Sequence, residues 1–318
     1  MAEAMAEVVL AESTGSAQMD TVVREMIARF LTALPDRLRA VYVLGSYADA
    51  SAVPTSDLDL ELLVAGSLRE DEHERIQSLL AAWTSQAKSE LDIEIKEETE
   101  LRAGVSPTLK LGSRLLWGAD VRQRLPLMPL TTWTRDRMHT SYWRLARLFA
   151  RPTPLTMPLD YPDPHDAFYG YVRRLTHLPD GQLAPGTLDL MRAVGWMATA
   201  LLAYQAGQYV ATKRACATIY REHIGGEWVS LLDDLAAWVR GAWQYRIPAT
   251  QEERARLRAI CAQTLGFENH FLALYRRYAL SELHGDDPLG RQLAIEAQQR
   301  IPLADAEIMT AMTDAERR

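Results

Sequence analysis

The chain has 318 residues, enough for two domains with separate cores, and its 48% apolar and 24% charged content is that of a globular protein without low-complexity tracts. A net charge of −7 and a pI near 5.6 argue against an electrostatic nucleic-acid binder, so nucleic acid is not an expected partner. Cys216 and Cys261 lack metal-ligand spacing and read as two reduced thiols of a cytoplasmic protein, and no apolar run approaches the roughly 20 residues that cross a bilayer.

Residues 1–18 read as a flexible leader, acidic where a signal peptide would be basic. Val22, Val23, Met26, Ile27, Phe30 and Leu31 have helical spacing, which predicts a helix over 19–34 stopped by Pro35. Residues 40–44 form a short β-type run ending at Gly45, and 58–64 a second strand closed by Ala65-Gly66-Ser67. An amphipathic helix follows over 69–87, with Ile76, Leu79, Leu80 and Trp83 on one face. Residues 91–96 alternate strictly, a strand with Leu91, Ile93 and Ile95 buried; 109–117 supply a further short strand or turn. Beyond residue 131 the spacing predicts helices over 133–150, 165–178, 186–206, 211–223, 226–245, 251–279 and 288–300. Five prolines in residues 151–165 separate the first two of these. The chain thus divides into an α+β domain over 19–127 and an all-helical domain over 128–318.

The stretch "LGSYADASAVPTSDLDLELLV" (44–64) carries the chemistry. Asp57 and Asp59 lead an apolar strand, where aspartate is disfavoured and two like charges on one face repel. Residues i and i+2 of a strand point to the same side, so the two carboxylates are presented together. Asp92 and Glu94 share the face of their strand opposite Leu91, Ile93 and Ile95. Three carboxylates converging over an apolar sheet suit a hard divalent cation such as Mg²⁺, which takes one or two carboxylates and completes its shell with water and phosphate oxygens. Gly45-Ser46, directly after a strand, offers close backbone approach and a hydroxyl donor, as phosphate cradles require.

Gly45-Ser46, ten residues, then Asp57-Leu58-Asp59, with a later acidic residue in an apolar strand, resembles the nucleotidyltransferase superfamily that includes DNA polymerase beta. Within it the chain is most similar to bacterial aminoglycoside adenylyltransferases, in which a minimal catalytic domain precedes a helical one. Leu91-Asp92-Ile93-Glu94-Ile95 fits the strand that carries the third carboxylate there, with Asp92 where glutamate is common. "LLWGADVR" (115–122) resembles the turn closing the catalytic domain, and "AGQYVATKRAC" (206–216) a segment whose lysine, here Lys213, contacts nucleotide phosphates. The resemblance implies a small mixed sheet with flanking helices, ATP as co-substrate bound by Gly45, Ser46 and Lys213, and two Mg²⁺ ions held by Asp57, Asp59 and Asp92. It also implies transfer of AMP to a hydroxyl of a small molecule such as an aminoglycoside, with Asp92 as metal ligand, proton acceptor or both, and Glu94 beside the acceptor. A lincosamide-like drug, a protein or a tRNA hydroxyl are alternative acceptors, and a catalytically idle antitoxin-type module is the alternative from another class.

Three other groupings read as structural. Arg144, Arg147 and Arg151 share a helical face and read as a solvated basic stripe. Asp163, His165 and Asp166 read as loop polarity, and Trp243 and Tyr245 as core.

Overall fold

The computed structural model describes residues 8–84, 91–177 and 182–317. The chain divides into two compact units. The first comprises Met1–Pro129, His177–Gln182 and Val210–Ala215; the second comprises Leu130–Thr176, Leu183–Tyr209 and Cys216–Arg318.

The first unit is built on four strands, β1 (Leu38–Val43), β2 (Leu58–Val64), β3 (Leu91–Glu97) and β4 (Arg114–Gly118), in the order β3-β2-β1-β4. β2 and β3 run parallel, while β1 is antiparallel to both β2 and β4, so the sheet is mixed. Helix α1 (Ala17–Ala33) starts at Ser16, whose side chain accepts from Met19 N, and packs with α3 (Glu70–Thr84). Their apolar stripes meet one face of the sheet. Val23, Ile27 and Phe30 of α1 and Ile76 of α3 share a core with Val41, Val43, Leu58, Leu60, Leu62 and Leu116, and Leu91, Ile93 and Ile95 pack against it. The other face carries a smaller cluster in which Ala40, Tyr42, Leu44 and Leu63 meet Leu101, Val105 and Leu109, the last from α4 (Pro107–Gly112). Between β1 and β2 lies a single helical turn, α2 (Gly45–Ala48).

β2 has the bounds its apolar run predicts, and the alternating run of β3 extends one residue further, to Glu97. The run 109–117 splits between α4 and β4, because Ser106 caps a short helix through Leu109 N and Pro107 occupies its first turn. The leader expectation fails for residues 8–16. Val8 is buried in the main core, Ala11 N donates to Leu116 O along β4, and Thr14 and Ser13 bond the Asp20 carboxylate. A free β4 edge offers unpaired backbone groups, and this segment takes one of them. Residues 1–7 lie outside the described residues, as does the end of the helix read over 69–87.

The second unit is helical: α5 (Leu130–Leu148), α6 (Leu188–Ala206), most of α7 (Lys213–His223), α8 (Val229–Asp234), α9 (Gln251–His284), α10 (Pro288–Arg300) and α11 (Ala306–Glu316). α8 continues through a wider-wound π-type stretch, Leu235–Ala242. The helix expected over 165–178 is absent. Asp166 folds its carboxylate back onto Phe168 N and Gly170 N, Tyr169 and Gly170 take positive φ, and Leu175–His177 pairs as a short strand with Leu183–Pro185. No helix of the described residues is long and apolar enough to cross a membrane.

Candidate active site

β1 ends at Val43, and the next amide, Leu44 N, donates to Asp59 O at 2.9 Å, which ties the turn after β1 to the start of β2. Gly45 then takes φ +60, the left-handed region. A Cβ at this position would lie 2.2 Å from Asp59 Oδ2 and 3.3 Å from its Cγ. Glycine is therefore required twice over, for the backbone angle and for the Asp59 carboxylate lodged against it. Ser46 is buried, and its Oγ has no hydrogen-bond partner among the described residues. Arg114 Nη2 donates to Tyr47 O and so fixes the far side of this turn to β4. The Tyr47 phenol is pushed up by burial and then by the negative charge of Asp57.

The loop before β2 is closed by Ser56, whose Oγ accepts from Val53 N while its amide donates to Val53 O. It delivers Asp57, 5% exposed, immediately ahead of the strand. In the parallel β2–β3 pair, Asp59 stands opposite Asp92 and Glu61 opposite Glu94. Paired residues share a face and period 2 repeats it, so Asp59 and Glu61 share one side with Asp92, Glu94 and Lys96. Lys96 Nζ donates to Glu94 Oε1. Glu61 is 8% exposed, with Oε2 unpartnered among the described residues; burial, and then Glu94, push its acid up to about 7, against the pull of Lys96.

Gly45, Ser46, Asp57, Asp59 and Asp92 are thus brought to one end of the sheet, with Glu94 one same-face step farther along β3. Asp92 and Glu94 are exposed, Asp59 half-buried. The three aspartates do not close into a metal cage: among the described residues no group of three His, Cys, Asp or Glu side chains is arranged to hold an ion alone. The donors still fit Mg²⁺, whose octahedral shell is completed by water and phosphate oxygens around one or two carboxylates. All are oxygen donors, and the orphaned Ser46 hydroxyl beside them lacks a partner that a phosphate oxygen would supply. Lys213 opens α7 within the same compact unit as the sheet, is half-buried, and has no ion pair among the described residues. Glu61 escaped the reading of the sequence. Its signal was its place two residues after Asp59, masked by the apolar run around it.

In the second unit the expected solvated stripe holds for Arg147, which is exposed, only in part for the half-buried Arg144, and not for Arg151. Arg151 is buried and pairs with Glu268 and Tyr171, while Arg144 lies 3.7 Å from the Trp196 ring centroid and Arg147 5.0 Å from that of Trp143. α5 stops at Leu148 and Ala150 takes φ +48, so Arg151 leaves the helical face and turns inward. Asp163 and Asp166 make turn contacts, and Trp243 and Tyr245 are buried, as read.

No protein-family model matches the chain, and no curated protein matches it. Among solved structures it is similar to the spectinomycin adenyltransferase AAD(9) from Enterococcus faecialis, crystallised with ATP and spectinomycin: 15% identity and a TM-score of 0.46, over 79% of this chain and 100% of that one. A toxin–antitoxin crystallised with AMP-PNP is similar over 39% of this chain and 94% of its own, at 22% identity and a TM-score of 0.23.

Proposed function

We propose that this protein is a nucleotidyltransferase that moves AMP from ATP to a hydroxyl of a small molecule, releasing pyrophosphate, in a Mg²⁺-dependent reaction. The observation that carries this reading is the Asp59 carboxylate seated where a Gly45 side chain would be. It joins the glycine–serine turn to the aspartate pair as one constellation, beside a buried hydroxyl that has no partner among the described residues. A structural turn has no need of that arrangement, because like-charged carboxylates on neighbouring strands lower stability.

In this reading the Gly45 backbone and the Ser46 hydroxyl hold the β- and γ-phosphates, and Lys213 adds a cation to them. Positioning of this kind dominates phosphoryl-type transfer, because an in-line displacement leaves the protein little covalent chemistry to perform. Asp57 and Asp59 would hold Mg²⁺, which when bound offsets the charge gathered between them and the triphosphate. The acceptor hydroxyl attacks the α-phosphorus, and the bond to the pyrophosphate oxygen breaks. Asp92, exposed and opposite Asp59, either completes the metal shell or takes the hydroxyl proton. Glu94, farther along the same face, lies on the acceptor side, where an amine-bearing, polyhydroxylated molecule of the aminoglycoside type suits it.

The test is pyrophosphate release from ATP with a panel of hydroxyl-bearing antibiotics, with and without Mg²⁺, with Asp59→Asn as control. Release that needs acceptor, Mg²⁺ and Asp59 together is the expected result. Release that survives Asp59→Asn, or none with any acceptor, counts against the reading.

A further inference from the structure

Lys213 stands far along the chain from Gly45 and Ser46, and its place in the first unit depends on what holds residues 210–215 there. α4 ends at Gly112. A Cβ on Gly112 would come 2.3 Å from Ala211 O, 2.9 Å from Ala211 C and 3.2 Å from Thr212 Cγ2. The backbone of 211–212 therefore lies directly on bare glycine, and any other residue at 112 must push it off. The end of α4 is itself pinned, since Ser113 Oγ donates to Leu109 O and Arg122 Nη1 donates to Ser113 O. Leu109 is buried among Tyr42 and Leu44, and α4 packs on α2, the turn that carries Gly45 and Ser46. On the other side of the contact, Thr212 Oγ1 accepts from Ala215 N at 3.2 Å. Thr212 is thus the N-cap of the eleven-residue helix α7, and Lys213 is its first residue.

We infer that Gly112 and Thr212 are positioning residues for Lys213: the glycine seats the 211–212 backbone on α4, and the threonine cap sets the direction in which Lys213 leaves it. This rests on the reading of Lys213 as a phosphate ligand. Neither residue touches the nucleotide. Each acts through the lysine, and both are tied through α4 to the turn that bears Ser46.

The experiment is calorimetric titration of the full-length protein with ATP and, separately, AMP, both with Mg²⁺, for wild type, Gly112→Ala, Thr212→Ala, Thr212→Ser and Lys213→Ala. Lys213→Ala is expected to weaken ATP on the order of tenfold or more, the scale of a lost charge-assisted hydrogen bond, with AMP much less affected. Gly112→Ala and Thr212→Ala should reproduce that selective loss, and Thr212→Ser, which keeps the capping oxygen, should restore wild-type affinity. Where Gly112→Ala does not fold, the Thr212 pair decides alone. Wild-type ATP affinity in Thr212→Ala, with Lys213→Ala impaired, overturns the positioning role and leaves the lysine in place. Equal loss of ATP and AMP in the variants also overturns it, as plain destabilisation. An unaffected Lys213→Ala removes the premise, and the positioning role falls with it.

Discussion

In the helical unit Glu268 is wholly buried, and its Oε2 accepts from both Arg151 and Tyr171, so a guanidinium and a phenol meet the carboxylate. In the sheet unit Asp59 faces Asp92 and Glu61 faces Glu94, carboxylate against carboxylate across two parallel strands. Both places put acidic side chains in or near an apolar interior, where a charge is costly unless compensated. In the first, burial pushes Glu268 up and Arg151 opposes it from within the fold. In the second, Lys96 reaches Glu94, and what sets the place apart is carboxylate facing carboxylate across the strands, since Glu268 Oε1 as well as Ser46 Oγ and Glu61 Oε2 lack a hydrogen-bond partner among the described residues. The difference separates an acid paired with a guanidinium inside the fold from acids set against one another, which the proposed function assigns to a ligand.

The largest expected effect breaks the ligand side of that contrast. Asp57→Asn and Asp59→Asn should lower turnover on the order of 10³-fold, the upper range for losing one electrostatic element of a transition state, while circular dichroism stays unchanged. Turnover within tenfold of wild type would place the pair outside the chemistry. Breaking the architectural side should do the opposite. Glu268→Ala leaves Arg151 buried without its carboxylate, and roughly 3–5 kcal/mol of stability should be lost in urea unfolding. Activity per folded molecule at low temperature should persist. The double variant Arg151→Met with Glu268→Leu should recover most of that stability, since an apolar pair of similar volume replaces a costly ion pair.

These two places were unequally legible in the sequence. Asp57-Leu58-Asp59 could be singled out because period-2 alternation makes a misplaced carboxylate visible, and the bounds of β2 followed from the same run. The pairing of Asp59 with Asp92 needed the strand register, which alternation within one strand does not contain. Arg151 was misread because helical spacing was extended past Leu148, where the positive φ of Ala150 ends it. Residues 165–178 have helix-compatible composition, but local turn bonds from Asp166 outcompete the helix. The last helix, α11, had a legible start in Asp305, whose carboxylate caps Glu307 N and Ile308 N, yet its weakly apolar face was overlooked.

A finer comparison lies within the acidic face itself. Successive same-face residues of a strand are nearly 7 Å apart, roughly twice the 3.3 Å rise, so Asp92 and Glu94 cannot serve the same atoms. Asp92→Asn should lower kcat on the order of 10²-fold, the scale of a lost general base, and Glu94→Gln should chiefly raise the acceptor KM. Steady-state kinetics with the acceptor found by pyrophosphate release would show a reversed pattern if Glu94 held the catalytic place.

The smallest effect concerns a titrating group on the architectural side. Burial, followed by the charge of Arg135, lowers the His139 imidazole from 6.5 to about 4, and its Nδ1 meets Tyr275 Oη at 3.0 Å. Above pH 6.5 the ring is neutral both folded and unfolded and contributes no pH dependence. As the pH falls from 6.5 to about 4 the unfolded chain takes up the proton first, so stability is lost across that window and the loss is complete below it. His139→Gln should flatten this part of the acid limb, measured by urea unfolding at pH 7 and pH 4.5. An unchanged slope would mean that other groups set it.

The contrast between an acid paired with a base and acids that face one another is tested most directly by thermal unfolding of wild type and Asp59→Asn, each alone and with Mg²⁺-ATP. Without ligand, Asp59→Asn should melt higher than wild type, because a like-charge contact is relieved. Mg²⁺-ATP should raise the wild-type Tm, as any ligand of the folded state does, and leave that of Asp59→Asn nearly unmoved. An equal rise in both proteins, or a rise that persists in EDTA, would contradict the account.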